Sequence, residues 1–160
     1  MKVVALNATY STMIRAASRE TPSFYDVARY IVSLNIDEAL EVGNVDIVER
    51  IANVITDDGR KERNYSFTTK YCNWHQHHLF PIYDSRVDEY LWQLQNREKF
   101  FAFHRQDLRY NYPKFKEVVT AFRKRFGLQE FNYKLIDKFL YVEGEKLLKM
   151  KMGESVPGGG

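Results

Sequence analysis

At 160 residues and a net charge of +3 the chain fits one domain, large enough to bury roughly two-thirds of its unfolded surface without metals or crosslinks. Its single cysteine, Cys72, excludes an internal disulfide framework and suits a reducing, cytoplasmic compartment. No apolar run approaches the roughly 20 residues needed to span a bilayer, and the first residues lack the apolar stretch of a signal peptide.

The apolar spacing is helical nearly throughout and predicts an all-α, compact single domain over residues 1–150. Ser23 is placed to cap a helix carrying Val27, Tyr30, Ile31 and Leu34 on one side. Asp37 to Val42 predicts a short helix ended by Gly43. Asn44 caps a third, with Val45, Val48, Ile51, Ala52 and Ile55 at helical spacing. Thr56 to Arg60, TDDGR, is a turn signal, and the next helix is expected from Tyr65 to Trp74. Pro81 biases Phe80 away from helical geometry, so HHLFPIYD is a loop. Asp84 or Ser85 then caps a helix that buries Val87, Tyr90, Leu91 and Leu94. Another starts at Pro113 and stops at Gly127. The last opens at Phe131 or Asn132 and is expected to bury Leu135, Phe139, Val142, Leu147 and Leu148. Residues 151–160 offer nothing to bury and are expected to form a disordered tail. These are seven helices, with no internal repeat and no linker to a second domain.

Aromatic residues make up 15% of the chain, enough to fill a core and also to line a cleft that stacks bases or sugars. Charge is spread unevenly. Residues 1–60 hold six Lys/Arg against nine Asp/Glu, a net −3, whereas residues 97–127 hold nine against three, a net +6. A local excess of that size attracts a phosphate backbone; the plainer reading is a solvated helix face.

Chemistry-bearing residues concentrate in KYCNWHQHHLFPIYDS, Lys70 to Ser85. Cys72, His75, His77 and His78 are zinc-ligand types, but four ligands within seven residues, partly on a helix and partly beyond its end, do not converge on one ion. Histidines near a helix C-terminus are also explained by the helix dipole. Cys72 lacks an orienting carboxylate for nucleophilic work and reads as a small buried hydrophobe. Lys70 lies among Phe67, Tyr71 and Trp74, where burial would favour a neutral, nucleophilic amine. Asp84 stands at a helix start that favours its ionised form. An amine and a carboxylate at one cleft would supply both functions needed to break an N-glycosidic bond. The bland alternative is a surface lysine and a simple helix cap.

The stretch SFTTKYCNWHQHHLFPIYDSRV, Ser66 to Val87, resembles the catalytic segment of helix-hairpin-helix DNA glycosylases, in particular bacterial proteins similar to 8-oxoguanine DNA glycosylase. In that superfamily a lysine opens a helix rich in small and apolar residues, and a loop leads to a Pro-x-x-Asp segment whose aspartate begins the next helix. Lys70 takes the place of the lysine, and Pro81-Ile82-Tyr83-Asp84 that of the aspartate segment. The resemblance implies a helical fold, eversion of a damaged base, glycosidic cleavage and, through a lysine Schiff base, strand nicking at the abasic site. On this reading Lys70 is the nucleophile, and Asp84 activates it and stabilises the oxocarbenium ion. Tyr65, Phe67, Trp74, Tyr83 and Trp92 are expected to line the base pocket.

The superfamily's Leu-Pro-Gly-x-Gly hairpin ahead of the lysine is replaced here by ERNYSFTTK, which has no glycine. Phosphate contacts are therefore expected from Arg97, Arg105, Arg109, Lys114, Arg123, Lys124 and Arg125. The expected partner is duplex DNA with a damaged base, with no cofactor, metal or membrane. Two other readings stand beside it. One is a non-enzymatic helical module binding nucleic acid or protein through the NWHQHH loop and basic helices. The other is a metal-dependent nuclease using His75, His77 or His78.

Overall fold

The computed structural model describes residues 22–153; expectations for residues 1–21 and for 154–160 of the tail lie outside them. Among the described residues there are eight helices and one two-stranded sheet, so the fold is all-α. The chain divides into two compact units between Ile82 and Tyr83.

In the first unit, α1 (Phe24–Ser33) begins at a capping box. The Ser23 hydroxyl accepts from the Asp26 amide at 3.2 Å, and the Asp26 carboxylate accepts from the Ser23 amide at 2.8 Å. Two orphan helix-end donors are thereby paired. A short α2 (Asp37–Glu41) leads into Gly43, whose φ is +69° and where a Cβ would fall 3.0 Å from Leu79 Cδ1. Both the left-handed backbone and the close approach call for glycine. α3 (Asp46–Ala52) starts where Asn44 Oδ1 accepts from the Asp46 amide, and it buries Ile47, Val48, Ile51 and Ala52.

Here one expectation is corrected: the helix stops at Ala52, and Ile55 is not on it. Asn53–Ile55 (β1) instead pairs antiparallel with Lys61–Arg63 (β2), with Asn53 opposite Arg63, Val54 opposite Glu62 and Ile55 opposite Lys61. The Thr56–Arg60 turn provides the reason. Thr56 N donates to Arg60 O at 3.0 Å, and Gly59 takes φ +83°, which sets the flanking residues opposite one another. β-branched Val54 and Ile55 suit that pleated geometry, one buried and one exposed. α4 (Tyr65–His75) follows and packs against α3. It is buried over most of its circumference, as befits an interior helix.

The second unit opens with α5 (Ser85–Glu98), which buries Val87, Leu91 and Leu94 as the spacing predicts, and also Asp88 and Glu89. α6 (Arg105–Tyr110) has no counterpart among the predicted helices, because six residues are too few to show a periodic stripe and only Leu108 is buried. Its start is fixed by Asp107, whose carboxylate accepts from the His104 amide at 2.8 Å. α7 (Tyr112–Arg125) has Pro113 in its first turn and Asn111 as its cap, and the chain leaves it through Gly127 at φ +67°.

α8 (Tyr133–Lys151), capped by Asn132, packs along α5, but with a different face from the one expected. Tyr133, Ile136, Leu140 and Gly144 are buried, whereas Leu135, Phe139 and Val142 are exposed. Gly144 explains the rotation. A Cβ there would lie 2.6 Å from the Arg86 carbonyl carbon, so the two helix backbones touch where the side chain is missing. The face containing the glycine turns inward and the rival apolar stripe turns out.

Candidate functional site

Lys70 lies in the middle of α4 and is only 6% exposed. Its Nζ is 3.1 Å from Ser66 Oγ, one turn earlier on the same helix. Thr68 and Thr69 donate their hydroxyls to the carbonyls of Asn64 and Ser66, at 2.9 and 3.0 Å, which lets both be buried without loss of hydrogen bonds. At the other end of the helix, Asn73 Nδ2 donates to Phe80 O at 2.6 Å and ties α4 to the chain just before Pro81. The lysine thus stands on a helix fixed at both ends.

Cys72 is fully buried, and burial pushes its thiol pKa well up, so it behaves as a hydrophobe. The His75 ring lies 4.7 Å from that of Tyr71, and His77 and His78 lie against each other at 3.8 Å. Among the described residues no group of three or more His, Cys, Asp or Glu is arranged to hold a metal. Of the predicted pocket aromatics, Phe67 is buried beside Tyr71, and Tyr65 is buried with the Arg63 guanidinium over its ring. Trp74 is 58% exposed on the same helix.

In the second unit, Asp84 adopts extended backbone geometry and caps α5, its Oδ1 accepting from the Arg86 amide at 3.0 Å. The Arg86 guanidinium stands 3.5 Å from the same oxygen, and the carboxylate is largely shielded from solvent. Tyr83, one residue earlier, donates its hydroxyl to Asp88 Oδ2 at 3.2 Å and sets its ring edge-on to Phe115. Burial, reinforced by the Asp88 charge, raises the Tyr83 pKa and keeps the phenol a donor. Trp92 packs edge-on to Phe103, so Tyr83 and Trp92 are held by different ring partners.

The predicted phosphate contacts separate into two kinds. Arg105 Nε and Arg109 Nε donate to Asp88 at 2.7 and 2.8 Å, and Arg105 Nη2 also reaches Glu89 Oε2 at 2.6 Å. Arg123 donates to the Gln129 carbonyl and covers the Tyr133 ring, while Lys114 pairs with Glu117 and Arg97 with Glu98. Lys124 and Arg125 are exposed at the end of α7.

Asp88 and Glu89 are the residues that sequence reasoning missed. Tyr83, Arg105 and Arg109 converge on Asp88, whose side chain is 1% exposed; Arg105, Gln93 and Lys151 converge on Glu89. Burial alone would raise the Glu89 pKa, but hydrogen bonds from Lys151, Gln93 and Arg105 outweigh it and hold the carboxyl at about 2. The signal available in the sequence was two adjacent acids on a predicted helix, followed by two arginines one turn apart.

Residues 1–79 match the model of a family described as HI_0787_N, N-terminal domain. The match ends close to the division between the two units. An uncharacterized protein of Haemophilus influenzae is 38% identical over 142 residues, which cover 88% of this chain and 63% of that protein. The chain therefore spans less than two-thirds of the length of this relative. No solved structure matches this chain of 160 residues.

Proposed function

We propose that the chain is a DNA glycosylase-like protein in which Lys70 supplies the amine. The observation that carries this reading is the seclusion of Lys70: a lysine 6% exposed, on an interior helix, with its Nζ beside the Ser66 hydroxyl. A lysine amine can form a covalent bond with a sugar carbon and so divide glycosidic cleavage into two steps. In the proposed step Nζ attacks C1′ of a damaged nucleotide and the C1′–base bond breaks, its electron pair leaving on the base. The new C1′–Nζ bond becomes an iminium when the sugar ring opens. The amine gives up one proton as the C1′–Nζ bond forms, and O4′ takes that proton when the ring opens.

Borohydride trapping on duplexes carrying an oxidised base or an abasic site tests the proposal. The wild-type chain is expected to give a covalent adduct and Lys70→Ala none. An adduct that survives in Lys70→Ala would remove the assignment, and absence of any adduct across a lesion panel would leave the non-enzymatic helical module.

A further inference from the structure

We propose that the corner between α7 and α8 binds single-stranded nucleic acid through exposed phenylalanine rings and cations not held in ion pairs. This inference rests on neither Lys70 nor Asp84. Phe126 and Phe139, 40% and 45% exposed, flank the buried ring of Phe122 at centroid distances of 5.1 and 6.3 Å. Phe131 on the connecting turn and Leu135 in the first turn of α8 are exposed as well. Apolar surface of this size, left open on a face whose opposite side already packs the helix, calls for a partner.

The charge around it states what kind. The Arg125 guanidinium lies over the Phe126 ring at 5.9 Å, and Lys124, Lys134 and Lys138 are exposed. These four form no ion pair among the described residues, unlike Lys114 with Glu117 or Lys146 with Glu143. Between Val118 and Val142 the acids are Glu130, which is exposed, and Asp137, which is buried. The amides of the first turn of α8 add the positive end of a 19-residue helix. An anion with flat apolar faces satisfies both halves of the surface. Unpaired bases stack on aromatic rings while their phosphates meet the lysines, whereas a duplex keeps its base faces covered.

The corner is also built to hold its shape. Arg123 Nη2 donates to Gln129 O at 2.6 Å and its guanidinium covers the Tyr133 ring at 4.8 Å. The Tyr133 and Thr120 hydroxyls are 2.9 Å apart, and Leu128 N donates to Arg123 O at 2.8 Å. A surface fixed in this way loses little conformational entropy on binding.

The test is fluorescence anisotropy with a labelled oligo-dT of about 15 nucleotides, a length matched to single-strand site sizes, at salt concentrations between about 50 and 200 mM. Saturable binding that weakens with salt is expected. Lys134→Glu with Lys138→Glu should lower affinity at least ~10-fold and flatten the salt dependence, since two cations are lost. Phe139→Ala should lower affinity by about 10-fold without changing that slope. The lysine pair is exposed, and unchanged circular dichroism and urea midpoints will show that its variant folds. Absence of binding at low salt, or full affinity in the lysine double variant, would overturn the proposal. So would binding of an acidic amphipathic peptide or phosphatidylserine vesicles in place of oligo-dT. Oligo-dT binding without any borohydride adduct would remove the glycosylase reading and leave this one standing.

Discussion

Arg105 Nε donates to Asp88 Oδ1 at 2.7 Å, and this contact joins a cation of the basic stretch to a carboxylate with almost no access to solvent. Arg109 completes the arrangement from the next turn of α6, on Asp88 Oδ2. Two of the charges that give residues 97–127 their net +6 therefore answer buried acids instead of facing outward.

Removal of both arginines leaves Asp88 buried with only Tyr83 among these donors. Arg105→Ala with Arg109→Ala should cost about 3 kcal/mol or more of stability, the usual consequence of stranding a buried charge. Urea denaturation reads this directly. The salt dependence of nucleic-acid binding should be unchanged once folding is controlled for, and a stable variant with a flattened salt slope would reassign both residues to phosphate contact.

Glu89 makes the second unit acid-sensitive in a defined window. Its folded pKa of about 2 lies below the ordinary value of 4.5, so the folded state holds the proton less readily than the unfolded chain. The associated stability is fully present above pH 4.5 and is lost as pH falls toward about 2. Urea midpoints measured across this range should fall more steeply for wild type than for Glu89→Gln, which has no carboxyl to titrate. Parallel profiles would mean that Lys151 and Arg105 do not hold Glu89 in solution.

Asp84 holds the start of α5. As the cap of α5 it accepts from the Arg86 amide, a contact worth about 1 kcal/mol that asparagine preserves and alanine does not. Asp84→Asn should therefore keep wild-type stability, and Asp84→Ala should lose roughly that amount. Equal urea midpoints for the two variants would show that the side chain does not cap α5 in solution.

Gly144 should not tolerate a methyl group. Gly144→Ala drives a Cβ into the Arg86 carbonyl, an obstacle of backbone that no rotamer change relieves. A loss of about 1–3 kcal/mol is expected, typical of overpacking. A thermal melt equal to wild type would show that α5 and α8 separate readily at this point.

What could be read along the chain was written at short range. Ser23, Asn44, Asp84 and Asn132 announce their helices because a cap bonds an amide two or three residues ahead. Pro81 ended α4's neighbourhood for an equally local steric reason. Lys70 and Asp84 were singled out from such local context and from resemblance, and Lys70 is buried as its apolar neighbours suggested.

Long-range packing settled the remainder. Asn53–Ile55 fits a helix by spacing and became a strand because Lys61–Arg63 came opposite it. α8 carries two apolar stripes, and the backbone contact of Gly144 with Arg86, far away along the chain, chose which one faces inward. Asp88 and Glu89 look like solvent-facing acids until Arg105 and Arg109 fold back onto them. Hydrogen bonds within a turn are encoded by neighbours, whereas the environment of a charge or a helix face depends on residues that only folding brings near.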